Sequence, residues 1–132
     1  MKTLNATSTA TLNKMIKMME ENYIKIDNTN GSFMPVSVEI IFDNDKYMIV
    51  SLAHYYSQNG DLMSDPEMLF IHNKAMKVFF PSYYKQDGFL GSEQESVLFE
   101  GGEIKGYRAK MQADHTAFAN MWLRNIKQQQ NL

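Results

Sequence analysis

The sequence contains no cysteine. That excludes a disulfide frame, a thiolate nucleophile and a thiolate zinc site, and it favours a cytoplasmic setting. Proline falls to three residues and glycine to seven, too few for a low-complexity or disordered chain. No stretch of about 18 consecutive apolar residues exists, so no segment reads as a membrane span. Residues 1–20 alternate polar and apolar and lack the apolar stretch of a secretory signal. An excess of positive charge is also missing. Lys and Arg total 13 against 15 Asp and Glu, a net charge of −2 and a pI of about 5.9. A nucleic-acid binder ordinarily shows a basic stripe or an alkaline pI, so this balance argues against one. There is no Gly-rich phosphate loop, no H-E-x-x-H and no G-x-S-x-G.

What is present suits a single domain over residues 1–132, long enough to bury a core without a covalent staple. The charges are uneven. Lys14, Lys17, Arg108, Lys110, Arg124 and Lys127 lie toward the two ends, whereas Asp61, Asp65, Glu67, Asp87, Glu93 and Glu95 crowd the middle. If the fold separates them, the molecule has an acidic side and a mildly basic one. The 11 methionines read as flexible core filler.

Hydrophobic spacing predicts the elements. Leu12, Met15, Ile16, Met19 and Tyr23 recur at helical period, with Ser8, Thr9 and Thr11 as candidate N-caps. Val36, Val38, Ile40 and Phe42 alternate as a strand, and residues 47–56 form a second strand after the DNDK loop. Residues 67–72 predict a third strand, turning through Asn73-Lys74 into a fourth at 75–80. That turn would set Ile71 against Met76 and Leu69 against Val78. Pro81, which brings no N–H, is expected to end the fourth strand. A short hairpin across Gly101-Gly102 and a helix carrying Met111, His115, Phe118, Trp122 and Ile126 complete the chain, with a fraying KQQQNL tail. Helices set apart from a run of strands with short connections predict an α+β two-layer sandwich. In it an antiparallel sheet of four to six strands is flanked by the N- and C-terminal helices.

Two polar segments interrupt this pattern. The first, 54–67, holds His54, Tyr55, Tyr56, Asn59, Asp61, Asp65 and Glu67; the second, 82–96, holds Tyr84, Gln86 and Asp87. Asn59-Gly60 and Asp65-Pro66 have the chemistry of two turns, so each segment has a purely structural reading. The functional reading is a shared surface. Adjacent Tyr pairs at strand ends send one ring to each side, and exposed Tyr beside Asn and Asp suits a protein interface. The spacing H-x6-D-x3-D-x-E also offers a manganese- or iron-type ligand set in His54, Asp61, Asp65 and Glu67.

The strings HYYSQNGDLMSDPEM (54–68) and FFPSYYKQDGFLGSEQE (79–95) resemble a family of small uncharacterised domains found in phages and conjugative elements. In that resemblance His54, Tyr55, Tyr56, Gln58, Asn59, Gly60, Asp61, Asp65, Pro66 and Glu67 stand for the first signature block. Pro81, Gln86, Asp87, Gly91 and Gln94 stand for the second. The SYYKQDG run departs from it, with Tyr in place of a smaller polar residue. The resemblance implies a genomic setting and no reaction. Together these readings predict a non-catalytic, protein-binding accessory factor of a mobile element. It would use an acidic Tyr/Asn/Asp surface where the two polar segments meet, and it needs no cofactor. The alternative is a metal-dependent enzyme centred on His54.

Overall fold

The structure, a computed structural model, describes residues 1–132. Helix α1 (Ala6–Lys17) is followed by strands β1 (Tyr23–Ile26), β2 (Val36–Asp43), β3 (Tyr47–Gln58), β4 (Asp61–Asn73), β5 (Val78–Gln86) and β6 (Ser92–Glu95). A ribbon of β7 (Val97–Glu100) and β8 (Glu103–Tyr107) precedes helix α2 (Ala109–Gln129). Strands β1 to β6 form one antiparallel meander in sequence order, and β7–β8 pair separately. The architecture is α+β, as the separated helical and strand patterns require.

Both helices pack on one face of the sheet. Leu12 and Met15 of α1 and Trp122, Leu123 and Ile126 of α2 meet Val36, Val38, Val50, Leu52, Met68, Phe70 and Phe79 in the main core. The opposite face is divided. Ile71, Phe80 and Val97 form a second core with Tyr47, Ile49, Val78, Phe99 and Ile104 around it. The β7–β8 ribbon thus covers one half of this face, with Phe99 edge-on to Phe42 and Tyr47 at 5.2 and 5.6 Å. The other half of the face stays open.

Several expected details differ. Tyr23 leaves the first helix, which stops at Lys17, because the alternating Tyr23–Ile26 segment pairs with β2 from Tyr23↔Glu39 to Ile26↔Val36. The N-cap is Asn5, whose Oδ1 accepts from Ser8 N at 2.8 Å, while Ser8 and Thr11 are buried on the helix. The 57–66 insert is no loop. Asn59 (φ 51°) and Gly60 (φ 84°) make a two-residue turn, and β3 and β4 pair down to Gln58↔Asp61. Positive φ at both central residues is what a primed hairpin turn needs. Asp65-Pro66, with a cis peptide bond, lies inside β4 beside an irregularity opposite Ala53–Tyr55.

The β4–β5 register is also shifted from the expected one. Asn73 Oδ1 accepts from Met76 N at 3.0 Å and Lys77 takes φ 58°, so residues 74–77 turn and Ile71 faces Phe80. Pro81 does not end β5. It sits opposite Phe70 where the register shifts, a position that asks no N–H of it. The C-terminal tail is tied down as well. Gln130 is fully buried and bonds Asn28 N through Oε1 at 2.8 Å and Met34 O through Nε2 at 3.1 Å. At the other end of α2, Gln112 holds Lys2 through both its amide atoms at 2.8 Å.

Candidate functional site

The open half of the sheet is built from alternate positions of neighbouring strands. Ser51 and Tyr55 of β3 point away from the helices, as does Glu67 of β4, since successive strand residues alternate faces. Glu67 Oε2 accepts from Ser51 Oγ at 2.8 Å and from Tyr55 OH at 3.4 Å. Lys85 lies opposite Glu67 in the β4–β5 register and opposite Glu93 in the β5–β6 register. Tyr83 OH donates to Glu93 Oε1 at 2.5 Å. A groove of about 380 Å³ opens beside Glu67, lined by Tyr23, Lys25, Ser37, Glu39, Ser51 and Tyr55 among others.

Burial and the Glu67 charge push the Tyr55 hydroxyl up to about 12. Burial and the hydrogen bond to Glu93 push Tyr83 upward in the same sense. Both phenols are therefore neutral donors at physiological pH. This surface presents phenol hydroxyls and carboxylates together.

The two polar segments are brought together along β4 and β5. Gln86 Nε2 donates to Asp65 Oδ1 at 2.7 Å. Asp87 clamps Ser64 from both sides, accepting from Ser64 N at 2.8 Å and donating its own N–H to Ser64 O at 2.9 Å. The Tyr56 hydroxyl lies 3.3 Å from where a Cβ on Gly88 would stand. Asn59 and Asp61 stay apart from this latch, out at the exposed β3–β4 turn.

The proposed ligand set is not assembled. His54 faces the helices, where it is buried, its Nδ1–H donates to Pro35 O at 2.9 Å, and its ring meets Trp122 edge-on at 5.5 Å. A carbonyl only accepts, so Nδ1 carries the proton. Glu67 projects from the other face. No group of three or more His, Asp or Glu side chains lies close enough to share an ion. Tyr84 also turns to the helical side, against His115 at 6.0 Å and Phe118 at 5.4 Å. Of the ten expected site residues, His54 and Tyr84 face the helical side of the sheet, and Asn59 and Asp61 stand at the exposed β3–β4 turn.

Sequence reasoning missed Ser51, took Tyr84 rather than Tyr83 from the adjacent pair, and counted Glu93 only among the acidic residues of the middle. Ser51 left one signal, a small hydroxyl inside an apolar strand. It also missed a polar chain running inward from the exposed Gln94, in which His115 Nδ1 accepts from the buried Ser96 Oγ at 2.8 Å and Nε2–H donates to Gln94 Oε1 at 2.9 Å. Burial holds the His115 pKa below its ordinary value. Ser96 is fully buried, so this Ser–His contact ties the β6–β7 junction to α2. No helix is long and apolar enough to cross a membrane.

A search of curated proteins gives no match, and a search of solved structures gives none either. A family model described as Domain of unknown function (DUF6908) matches residues 7–132, nearly the whole described fold from α1 to the C-terminus, and the chain belongs to that family.

Proposed function

We propose that this chain is a non-catalytic protein-binding domain that takes its partner on the open half of the sheet. The carrying observation is the half-buried Glu67 carboxylate, already engaged by Ser51 and Tyr55 at the side of a groove about 380 Å³ in volume. A fixed carboxylate among tyrosines offers both hydrogen-bond acceptors and rigid amphipathic contact area, the combination that concentrates binding energy at interfaces. Glu39, Glu93 and Glu95 outnumber Lys25 and Lys85 on these strands, which favours a basic partner segment. The resemblance of the 54–68 and 79–95 strings to domains of phages and conjugative elements supports a role as a cytoplasmic accessory factor of a mobile element.

The test is affinity capture from the native host with the wild-type chain and with Tyr55→Ala, Glu67→Ala and Tyr83→Ala variants. The expected result is a partner retained by the wild type and lost from the Glu67 and Tyr55 variants. Equal retention by all four chains would remove this surface from consideration.

A further inference from the structure

The loop between β5 and β6 reads Asp87-Gly88-Phe89-Leu90-Gly91. Phe89 is fully exposed, at 101%, and Leu90 is 88% exposed. Large apolar side chains scattered singly on a surface need no explanation. Two consecutive ones at the tip of a constrained hairpin are different, because the surrounding bonds hold them out.

Three constraints act below the tip. Asp87 grips Ser64 through both its carboxylate and its backbone N–H. Gln86 grips Asp65 at 2.7 Å. Gly91 N closes the loop onto Gly88 O at 3.1 Å, and a Cβ at Gly91 would stand 2.6 Å from Gln86 O, so only glycine fits. The latch residues are therefore positioning residues, and the side chains they present are Phe89 and Leu90. The β3–β4 turn reaches the same end of the sheet, where the exposed Leu62 lines the groove.

We infer that Phe89 and Leu90 form an apolar anchor that inserts into a pocket on a protein partner, a pocket rimmed by Lys or Arg. This rests on the reading of the chain as a protein-binding domain and names where the partner is gripped. The rim follows from charge. Asp65, Asp87 and Glu93 flank the base of the tip, with Lys85, 3.9 Å from Asp87, the one cation beside them. The same acidic collar disfavours an anionic bilayer, whose surface attracts basic segments and repels carboxylates. An apolar anchor within a polar ring is the usual layout of a binding hot spot.

The experiment takes the protein retained by the wild-type chain from the host lysate, purifies it, and titrates it against three full-length chains. These are the wild type, the Phe89→Ser/Leu90→Ser double variant and Glu67→Ala. The expected result is affinity at least tenfold weaker for the tip variant with an unchanged melting temperature, and wild-type binding that weakens as salt rises. Affinity within twofold for the tip variant, with Glu67→Ala weakened, overturns the anchor and leaves the groove reading standing. No loss with either variant, or no protein retained by the wild type, overturns both. Two further arms use the purified chain alone. Flotation with phosphatidylglycerol vesicles that depends on Phe89 and Leu90, or self-association that depends on them, overturns the assignment to a basic-rimmed protein pocket.

Discussion

The two halves of the sheet face that the helices leave free are made from the same strands and have opposite character. Under the ribbon, Ile49, Ile71, Val78 and Phe80 close against Val97, Phe99 and Ile104. A few residues along the same strands, Ser51, Glu67, Tyr83 and Lys85 occupy the corresponding outward positions and meet no ribbon. Strand alternation sets which side a residue faces. Whether that side is core or surface depends on how far the β7–β8 ribbon reaches. The polar half is what the ribbon does not cover, and it is left free to meet a partner.

The largest effect is expected from Ile71→Ala, under the ribbon. Ile71 is 1% exposed, and emptying such a site costs about 2–4 kcal/mol. Urea unfolding followed by circular dichroism measures it, and a loss under about 1 kcal/mol would mean that the ribbon does not seal this half.

On the open half, Glu67→Ala strips Ser51 and Tyr55 of a shared acceptor, and a loss of about 1 kcal/mol is expected. The double variant with Tyr55→Phe is then less than additive, since both changes break one contact.

The two faces of the sheet also differ with pH. The Tyr55 phenol is raised from 10.0 to about 12 in the folded state. Its contribution is whole below pH 10 and is lost as the pH rises from 10 toward 12, because the unfolded chain releases that proton first. Tyr55→Phe should flatten the alkaline limb of the stability curve, and a phenolate absorbance titration should lose a late-ionising group. On the helical side His115 works in the opposite direction. Burial lowers its folded pKa below 6.5, so stability is whole above 6.5 and falls as the pH drops below it. His115→Gln should reduce that acid slope.

The smallest effect is expected at Ser57, exposed on the open side of β3. Ser57→Ala should change stability by less than about 0.5 kcal/mol, and a larger change would reveal a contact that the groove does not show.

Local chemistry made much of this readable. Helical spacing located α2, alternation located β2 and β3, and the Gly101-Gly102 pair located the β7–β8 turn. Asn59-Gly60 was a turn signal of the strongest kind, yet the polar residues after it disguised a strand. Asp61 to Asp65 have little strand propensity of their own and are held by pairing with Tyr55 to Gln58. That is tertiary override of a local preference. Pro81 misled for a related reason, since a register shift removes the demand for its N–H. Gln112 and Gln130 left no trace in hydrophobic patterning. Their buried amides satisfy backbone groups of the N-terminus and of the 28–34 loop, partners around a hundred residues away.

The α+β class, the antiparallel connections and the polar character of the 54–67 and 82–96 segments were all written in local residue order. Period, turn chemistry and charge are properties of neighbouring residues. Folding alone set His54 and Glu67 on opposite faces, clasped Asp65 to Gln86, and laid a ribbon over half of one sheet face. Those outcomes depend on register and layer closure, in which a one-residue slip reverses every side chain, and no local signal carries that information.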